Sequence, residues 1–244
     1  MDLLCSQLLV ALLGLLMAAY VVHALRGGIH TYARLERERG SVMLWAMRMG
    51  YWSLEPIGRG LARVGVRASH VTWSSLVLGV LAGVALATRH FGFGATLACV
   101  AALGDALDGI VAREARTASR AGELLDASAD RYIEAALLGG VAIAERAEPL
   151  VLFAAIAALT GSFMVSYSTA KAESLGVAVP RGGMRRPERA ACMIAGATLM
   201  PLLGPTVEPF APDLPIALAV AVVAVVANAS AIRRLYFIHR ALLP

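Results

Sequence analysis

The chain has 244 residues, of which 59% are hydrophobic and only 16% are charged, and its formal net charge is +5. Soluble domains carry about 25% charged residues, so this composition argues against a soluble domain. We expect a polytopic membrane protein with the lipid bilayer as a partner and no nucleic-acid partner.

The first apolar stretch covers residues 3–25. It is longer than the apolar core of a secretory signal peptide, so we expect an uncleaved anchor. Arginines follow it directly, which places its C-terminal end in the cytoplasm by the positive-inside rule. These arginines are Arg26, Arg34, Arg37 and Arg39. Residues 1–40 are thus predicted to form a membrane anchor and a basic linker.

Residues 41–67 mix apolar and charged side chains and contain Gly50, Pro56 and Gly58. The segment is too charged to cross the bilayer. Its pattern indicates a broken amphipathic helix that lies in the cytoplasmic headgroup layer. We treat it as a juxtamembrane segment.

Residues 68–244 are predicted to form a six-helix catalytic membrane domain. Six apolar segments lie here, and each approaches the ~20 residues that a spanning helix needs. They cover residues 71–88, 91–113, 122–144, 149–171, 190–206 and 214–236. The fold class predicted is an all-α polytopic helix bundle, with an extra N-terminal span and an interfacial helix. The bias of basic residues towards alternate loops predicts an inner (cell) membrane protein whose C-terminus is cytoplasmic.

Four aspartates interrupt two of these segments near their predicted cytoplasmic ends. Asp105 and Asp108 are three residues apart, and Asp126 and Asp130 are four apart, so each pair shares one helix face. A charge within a membrane segment costs about 2.5–3.5 kcal/mol, which makes four of them hard to explain by chance. Opposed carboxylate faces bind hard divalent cations, and two such ions can clamp a phosphoryl group.

Two other interpretations of the aspartates remain open from the residues alone. The carboxylates could pair with nearby arginines and only join helices together. They could also line a path for protons or cations, as in a cation transporter. Metal-dependent phosphate chemistry is the interpretation that we favour.

The spacing of these residues resembles the complete signature of the CDP-alcohol phosphotransferase family. The matching positions are Asp105-x-x-Asp108-Gly109-x-x-Ala112-Arg113, eight residues, and Gly122-x-x-x-Asp126-x-x-x-Asp130. The likeness extends over residues 45–236 and leaves out the first span. It implies a six-helix core, an active site that faces the cytoplasm and a homodimer.

The resemblance implies a role for each matching residue. The metal ligands would be Asp105, Asp108, Asp126 and Asp130, with two Mg²⁺ ions expected and Mn²⁺ as a substitute. Asp130 would also be the catalytic general base on the acceptor hydroxyl. The donor would be a CDP-activated lipid such as CDP-diacylglycerol, and CMP would leave. The donor would be bound by Gly109, Ala112, Arg113, Gly122 and Thr72.

A second stretch bears on the acceptor alcohol. Residues 166–173 and 185–189 resemble elements of bacterial phosphatidylinositol-phosphate synthases, although Lys171 replaces the usual arginine. The resemblance implies that Lys171, Arg186 and Arg189 bind the acceptor phosphate, with Glu173 and Glu188 as partners that orient them. Inositol phosphate is the expected acceptor, and glycerol 3-phosphate is the alternative with the same chemistry. Ordinary positive-inside anchoring would also explain these cations.

Overall fold

The computed structural model describes residues 1–26, 41–178, 183–207 and 213–243, and within these ranges it contains eight α-helices and no β-strand. The helices are α1 (Asp2–Leu25), α2 (Ser41–Arg63), α3 (Ala68–Ala87), α4 (Phe91–Glu114), α5 (Arg120–Ala144), α6 (Pro149–Ser174), α7 (Arg186–Val207) and α8 (Leu214–Ala241). The predicted all-α fold is confirmed. The basic linker, with Arg34, Arg37 and Arg39, lies outside the described residues.

Five helices of the described part are long and apolar enough to cross a membrane, namely α1, α3, α4, α6 and α8. Two further predicted spans, 122–144 and 190–206, correspond to α5 and α7. These helices have 25 and 22 residues, but they are not among the five. The sequence of α5 explains the difference, because six charged residues lie along it. The set of apolar helices is that of a multi-pass membrane protein.

Helix α3 packs against both α4 and α5. Glycines make these contacts close, because a Cβ atom on Gly83 would clash with the Ala136 backbone and one on Gly104 would clash with Ser75. A Cβ atom on Gly140 would in turn meet the Gly83 carbonyl. Small residues of this kind let membrane helices approach each other closely. The packing holds both α4 and α5 against α3.

Helix α2 is continuous from Ser41 to Arg63, with Pro56 inside it. The break that the sequence predicted is therefore wrong. The continuous helix α2 packs closely along α4, since a Cβ atom on Gly58 would overlap the Ile110 side chain. Arg59 adds a hydrogen bond to Glu114 at the end of α4.

Helix α1 contacts α2 through aromatic rings. The ring of Tyr20 lies 5.2 Å from that of Trp45 and 5.7 Å from that of Trp52, measured between centroids. Such edge-to-face and tilted pairs are favourable aromatic geometries. The extra N-terminal helix therefore supports the outer side of α2.

Three helix connections meet at the end of the bundle that carries Arg89, Glu145 and Asp213, which we call the far end. Arg89 Nη1 lies 3.0 Å from Glu145 Oε1 and 3.1 Å from the Ala144 carbonyl oxygen. Arg89 Nη2 also pairs with Asp213 at the start of α8. This cluster joins the α3–α4 and α5–α6 connections to α8.

Glu145 is almost completely buried, with 1% of its side chain exposed. Burial, and after it the neighbouring Asp213, raise the pKa of Glu145 to about 7 against the opposing effect of Arg89. A carboxyl group whose folded pKa exceeds its unfolded pKa favours the folded state when protonated. Its contribution is complete below the unfolded pKa and is lost as the pH rises through about 7.

We expect the thermal midpoint of the purified protein in detergent to fall as the pH rises from about 4.5 to about 7, because over this range the folded protein keeps the Glu145 proton that the unfolded chain has lost. In the Glu145→Gln variant this fall should be absent or clearly smaller. The matched control is Glu148→Gln, which changes an exposed neighbour and should keep the wild-type pH dependence. Scanning fluorimetry measures all three, and an unchanged pH dependence in Glu145→Gln would contradict the assignment.

Candidate active site

The four aspartates meet across a gap between α4 and α5. The carboxylate oxygens of Asp105, Asp108 and Asp126 lie within 4.8 Å of one another. Asp108 and Asp130 are buried, while the other two are partly buried. Residues 115–119 connect the two helices, and the Ser119 hydroxyl caps α5 by accepting a hydrogen bond from the Gly122 amide at 3.1 Å. The short connection brings both acidic helix faces to one end of the bundle, which we call the site end.

Thr72 fixes one of these carboxylates. Its hydroxyl donates a hydrogen bond of 2.6 Å to Asp108 Oδ2, and both side chains are buried. The sequence interpretation gave Thr72 a contact with the donor. In the structure its contact is with a carboxylate of the acidic cluster, where it sets the orientation of that group.

Arg186, the first residue of α7, bridges the two acidic helices. Its Nη1 lies 2.5 Å from Asp105 Oδ2 on α4, and its Nη2 lies 2.6 Å from Asp130 Oδ1 on α5. Charge-assisted pairs of this length are strong interactions. The predicted acceptor residue therefore lies directly beside the acidic cluster.

The cluster has the donor set of a site for a hard divalent cation. All of its side-chain donors are carboxylate oxygens, which are the ligands that Mg²⁺ and similar ions prefer. Asp126 Oδ1 is buried and has no hydrogen-bond partner within the described part of the chain. Burial of a charged oxygen without a partner is costly, and a cation held by Asp105, Asp108 and Asp126 would remove that cost.

A cavity of about 420 Å³ opens from the acidic cluster between α2, α4, α5, α7 and α8. Its charged lining consists of the cluster, Glu134, Arg113, Arg186 and Arg189. Its apolar walls include Leu54, Leu103, Ile133, Leu137, Leu138, Met193, Ile194 and Val223. An apolar chamber with acids and a cation at one end is suited to an amphipathic ligand that carries phosphate.

Helix α2 supplies part of this wall, which sequence reasoning missed. Met47, Tyr51 and Leu54 all line the cavity. Their spacing of i, i+4 and i+7 is the signal that could have revealed the buried face. Because we interpreted α2 from its sequence as an interfacial helix, we did not predict a second face that lines a cavity.

Residues of the signature differ in how close they come to the cavity. Gly109 and Arg113 line it, and the Arg113 guanidinium lies 5.9 Å from the centre of the Tyr51 ring. A Cβ atom on Gly109 would come within 3.2 Å of Arg113 Nη1, so the missing side chain leaves room for that arginine. Ala112 and Gly122 lie outside the described lining. Gly122 instead provides the capped amide of α5.

Arg189 lines the cavity, but its charge is already balanced. Its Nε and Nη2 atoms lie 2.5 and 3.0 Å from the two carboxylate oxygens of Glu134, and only 2% of the residue is exposed. Glu188, the expected partner, bonds to Arg185 instead. Sequence reasoning missed Glu134, although an acid four residues after Asp130 in an apolar stretch was the available signal.

Lys171 lies apart from the other predicted acceptor residues. It is exposed near the end of α6 and lies outside the described lining of the cavity. Roles for Lys171 and Arg189 in binding the acceptor phosphate stay predictions.

Residues 66–231 match the family model described as CDP-alcohol phosphatidyltransferase. The chain is 39% identical over 151 residues to the phosphatidylinositol phosphate synthase of Mycobacterium tuberculosis (strain H37Rv). The aligned region covers 58% of this chain and 67% of the relative.

Two solved structures of the phosphatidylinositol phosphate synthase of M. tuberculosis are also similar, each at 28% identity. The structure with CDP-DAG bound has a TM-score of 0.66 and covers 76% of this chain and 92% of that chain. The complex with manganese and citrate has a TM-score of 0.68, and the match covers 76% of this chain and 88% of that chain. The family model and α1 do not overlap, because the match begins at residue 66.

The contact between Thr72 and Asp108 leads to a test of metal binding. We expect the Thr72→Val variant to bind Mn²⁺ about 10-fold more weakly, since groups that orient metal ligands typically contribute 10–100-fold in affinity. Electron paramagnetic resonance of free Mn²⁺ measures the change. The matched control is Ser74→Ala, because the Ser74 hydroxyl donates its hydrogen bond to the His70 carbonyl of its own helix. Equal affinities in Thr72→Val and the wild type would contradict the role.

Proposed function

This chain belongs to the CDP-alcohol phosphatidyltransferase family, and we propose that it transfers the phosphatidyl group of CDP-diacylglycerol to a hydroxyl of inositol phosphate, with release of CMP. One observation carries the proposal. The carboxylates of Asp105, Asp108 and Asp126 converge at the polar end of an apolar cavity, and Arg186 lies among them.

The shape and polarity of the cavity support a lipid donor. Its lining combines apolar side chains of α2, α4, α5, α7 and α8 with a group of acids and arginines. A CDP-lipid has the same division, with acyl chains at one end and a pyrophosphate at the other. The relative with CDP-DAG bound supports the same donor here. Gly109 and Arg113 border the space where the nucleotide would lie.

We assign two Mg²⁺ ions to the acidic cluster, held by Asp105, Asp108, Asp126 and Asp130. When bound, divalent cations would neutralise the pyrophosphate and stabilise the charge that develops on the leaving phosphate. The relative in complex with manganese supports the binding of a divalent cation by this chain. Thr72 would hold Asp108 in the orientation that such a site needs.

Asp130 is the proposed general base. The acceptor oxygen would attack the phosphorus on the lipid side of the pyrophosphate, its proton would pass to Asp130, and the bond to CMP would break. Asp130 Oδ1 lies 2.6 Å from Arg186 Nη2. A phosphate drawn to Arg186 would therefore bring the hydroxyl of the same acceptor close to Asp130.

Inositol phosphate is our first choice of acceptor, and glycerol 3-phosphate is the second. Both carry a phosphate that Arg186 could bind, but the solved relatives are phosphatidylinositol phosphate synthases. A cation transporter is disfavoured, because the described aspartates of the cluster lie together beside one apolar cavity and are not spread along a path through the bundle. We further propose that the site faces the cytoplasm of an inner-membrane protein, and the homodimer stays a prediction.

The chemistry is tested by CMP release from CDP-diacylglycerol in lipid nanodiscs with Mg²⁺ and inositol phosphate. We expect Asp130→Asn to lower kcat by about 100-fold or more, since general-base catalysis contributes roughly 10²–10⁴-fold. Asp213→Asn makes the same chemical change at the far end and should leave kcat within about twofold. Release of no CMP by the wild type with any phosphorylated acceptor would sink the proposal.

The acceptor is tested by comparing inositol phosphate, glycerol 3-phosphate and serine in the same assay. We expect turnover with inositol phosphate and a rise of about 10-fold or more in its KM in Arg186→Ala, because a charge-assisted contact of this kind contributes about 1.5–3 kcal/mol. The control is Arg120→Ala, which removes an exposed arginine at the start of α5. Turnover with glycerol 3-phosphate alone would keep the chemistry and overturn the acceptor.

A further inference from the structure

The apolar lining of the cavity reaches the outside of the bundle at Leu103 of α4. Leu103 is 37% exposed, whereas Leu54, Ile133 and Leu137, which also line the cavity, are at most 7% exposed. A cavity of about 420 Å³ belongs to the size class of roughly 300–1,000 Å³ that holds drug-sized ligands. CDP-diacylglycerol has two long acyl chains and is larger than such a ligand, so parts of its chains must lie outside the cavity.

Helix α1 runs alongside this part of α4. At the far end, Asp2 Oδ1 accepts a hydrogen bond of 3.1 Å from the Phe93 amide, and a Cβ atom on Gly92 would clash with the Asp2 carbonyl oxygen. Towards its other end, α1 contacts α2 through the Tyr20 ring, and α2 packs against α4 at Ile110. The two helices α1 and α4 are therefore parallel.

The register of these parallel helices places Leu13 of α1 level with Leu103 of α4. Leu13 follows Asp2 by eleven residues, and Leu103 follows Gly92 by eleven residues. Eleven residues make about three turns, or roughly 16 Å of helix, so each leucine returns to the face on which α1 and α4 meet at the far end. Leu13 is also 37% exposed. The two leucines face each other, but more than a third of each side chain stays accessible.

Helix α1 packs closely near its two ends and loosely in between. Its buried residues are Ser6, Leu9 and Tyr20, and none of residues 10–19 is buried, in a helix that the structure describes from end to end. Leu13 and Leu16 continue the packing stripe of α1 at the helical spacing of three or four residues. The helix also packs against α7, which is another wall of the cavity. The loosely packed middle of α1 therefore lies over the junction of α4 and α7.

We propose that Leu13 and Leu16 of α1, together with Leu103 of α4, border a lateral opening of the cavity and select the acyl chains of the lipid donor. A chain that leaves the cavity at Leu103 would pass between α4 and the middle of α1 into the bilayer. The ligand class is a long-chain diacyl lipid with a nucleotide headgroup. This inference rests on the proposed function and deepens it, because it gives a role in donor selection to a helix that lies outside the family match.

The first experiment locates the acyl chains. Photoreactive benzoylphenylalanine is placed at position 13 of the protein in nanodiscs, which contain a trace of CDP-diacylglycerol with radiolabelled chains. We expect crosslinking to the labelled chains, and unlabelled CDP-diacylglycerol should reduce it more strongly than the same amount of phosphatidylcholine. The matched control is position 15, because Leu15 is 70% exposed and lies off the packing stripe. There the two unlabelled lipids should have the same effect, and the same result at position 13 would overturn the proposal.

Crosslinking from Tyr51 separates this inference from the proposed function, because Tyr51 lines the cavity itself. Specific competition by CDP-diacylglycerol at Tyr51, but not at Leu13, would overturn the lateral opening and keep the lipid donor. Specific competition at neither position, together with no release of CMP by the wild type, would overturn the proposed function and this inference with it.

The second experiment narrows the opening and measures chain selection. Leu13→Trp should raise the KM for a dioleoyl donor by about 10-fold, because the larger side chain obstructs long chains. The KM for a dihexanoyl donor, whose chains end within the cavity, and the kcat for both donors should stay within about twofold. Leu15→Trp makes the same change off the packing stripe and should behave like the wild type with both donors. An equal effect of Leu13→Trp on the two donors, or no effect on either, would overturn the proposal.

Discussion

The crowding of negative charge at one end of the bundle is the constraint on which the rest of this structure depends. Three carboxylates have ligand atoms within 4.8 Å of one another. At an effective dielectric constant of 20, two unit charges at that distance repel by about 3 kcal/mol. The repulsion has to be offset by cations. Arg186 supplies one positive charge from α7, and the unsatisfied Asp126 oxygen marks the place where a divalent cation would supply more.

The remaining architecture holds these charges in place. Close contacts at Gly83 and Gly140 set α5 against α3, and Gly104 sets α4 against the same helix. The ion pairs of Arg89 join the connections at the far end. With the helices fixed at both the middle and the far end, the acidic faces stay opposed across the cavity. Helix α2 then covers that cavity from the side, supported by α1.

The arginines near the site end differ in how their charges are balanced, and this difference separates their roles. In the proposed reaction, the carboxylates that pair with Arg186 also bind metal ions. Arg186 can therefore exchange these partners for the acceptor phosphate. Arg189 is held by both oxygens of Glu134 and is 2% exposed, which favours a role in positioning α7 against α5. Arg234 donates a hydrogen bond to the Thr169 hydroxyl and has no ion-pair partner within the part of the chain that the structure describes.

The sequence by itself determined the helical class, the approximate bounds of most helices and the pairing of aspartates on two helix faces, because each depends on periodicity within one helix. It also determined the family, since the signature is a local pattern of spacing. Only the tertiary structure decided that α2 stays continuous through Pro56 and forms a wall of the cavity. It alone decided that Glu134 pairs with Arg189, a residue 55 positions away. Such contacts depend on how helices pack together, and the order of residues within one helix does not specify which distant side chain will meet it.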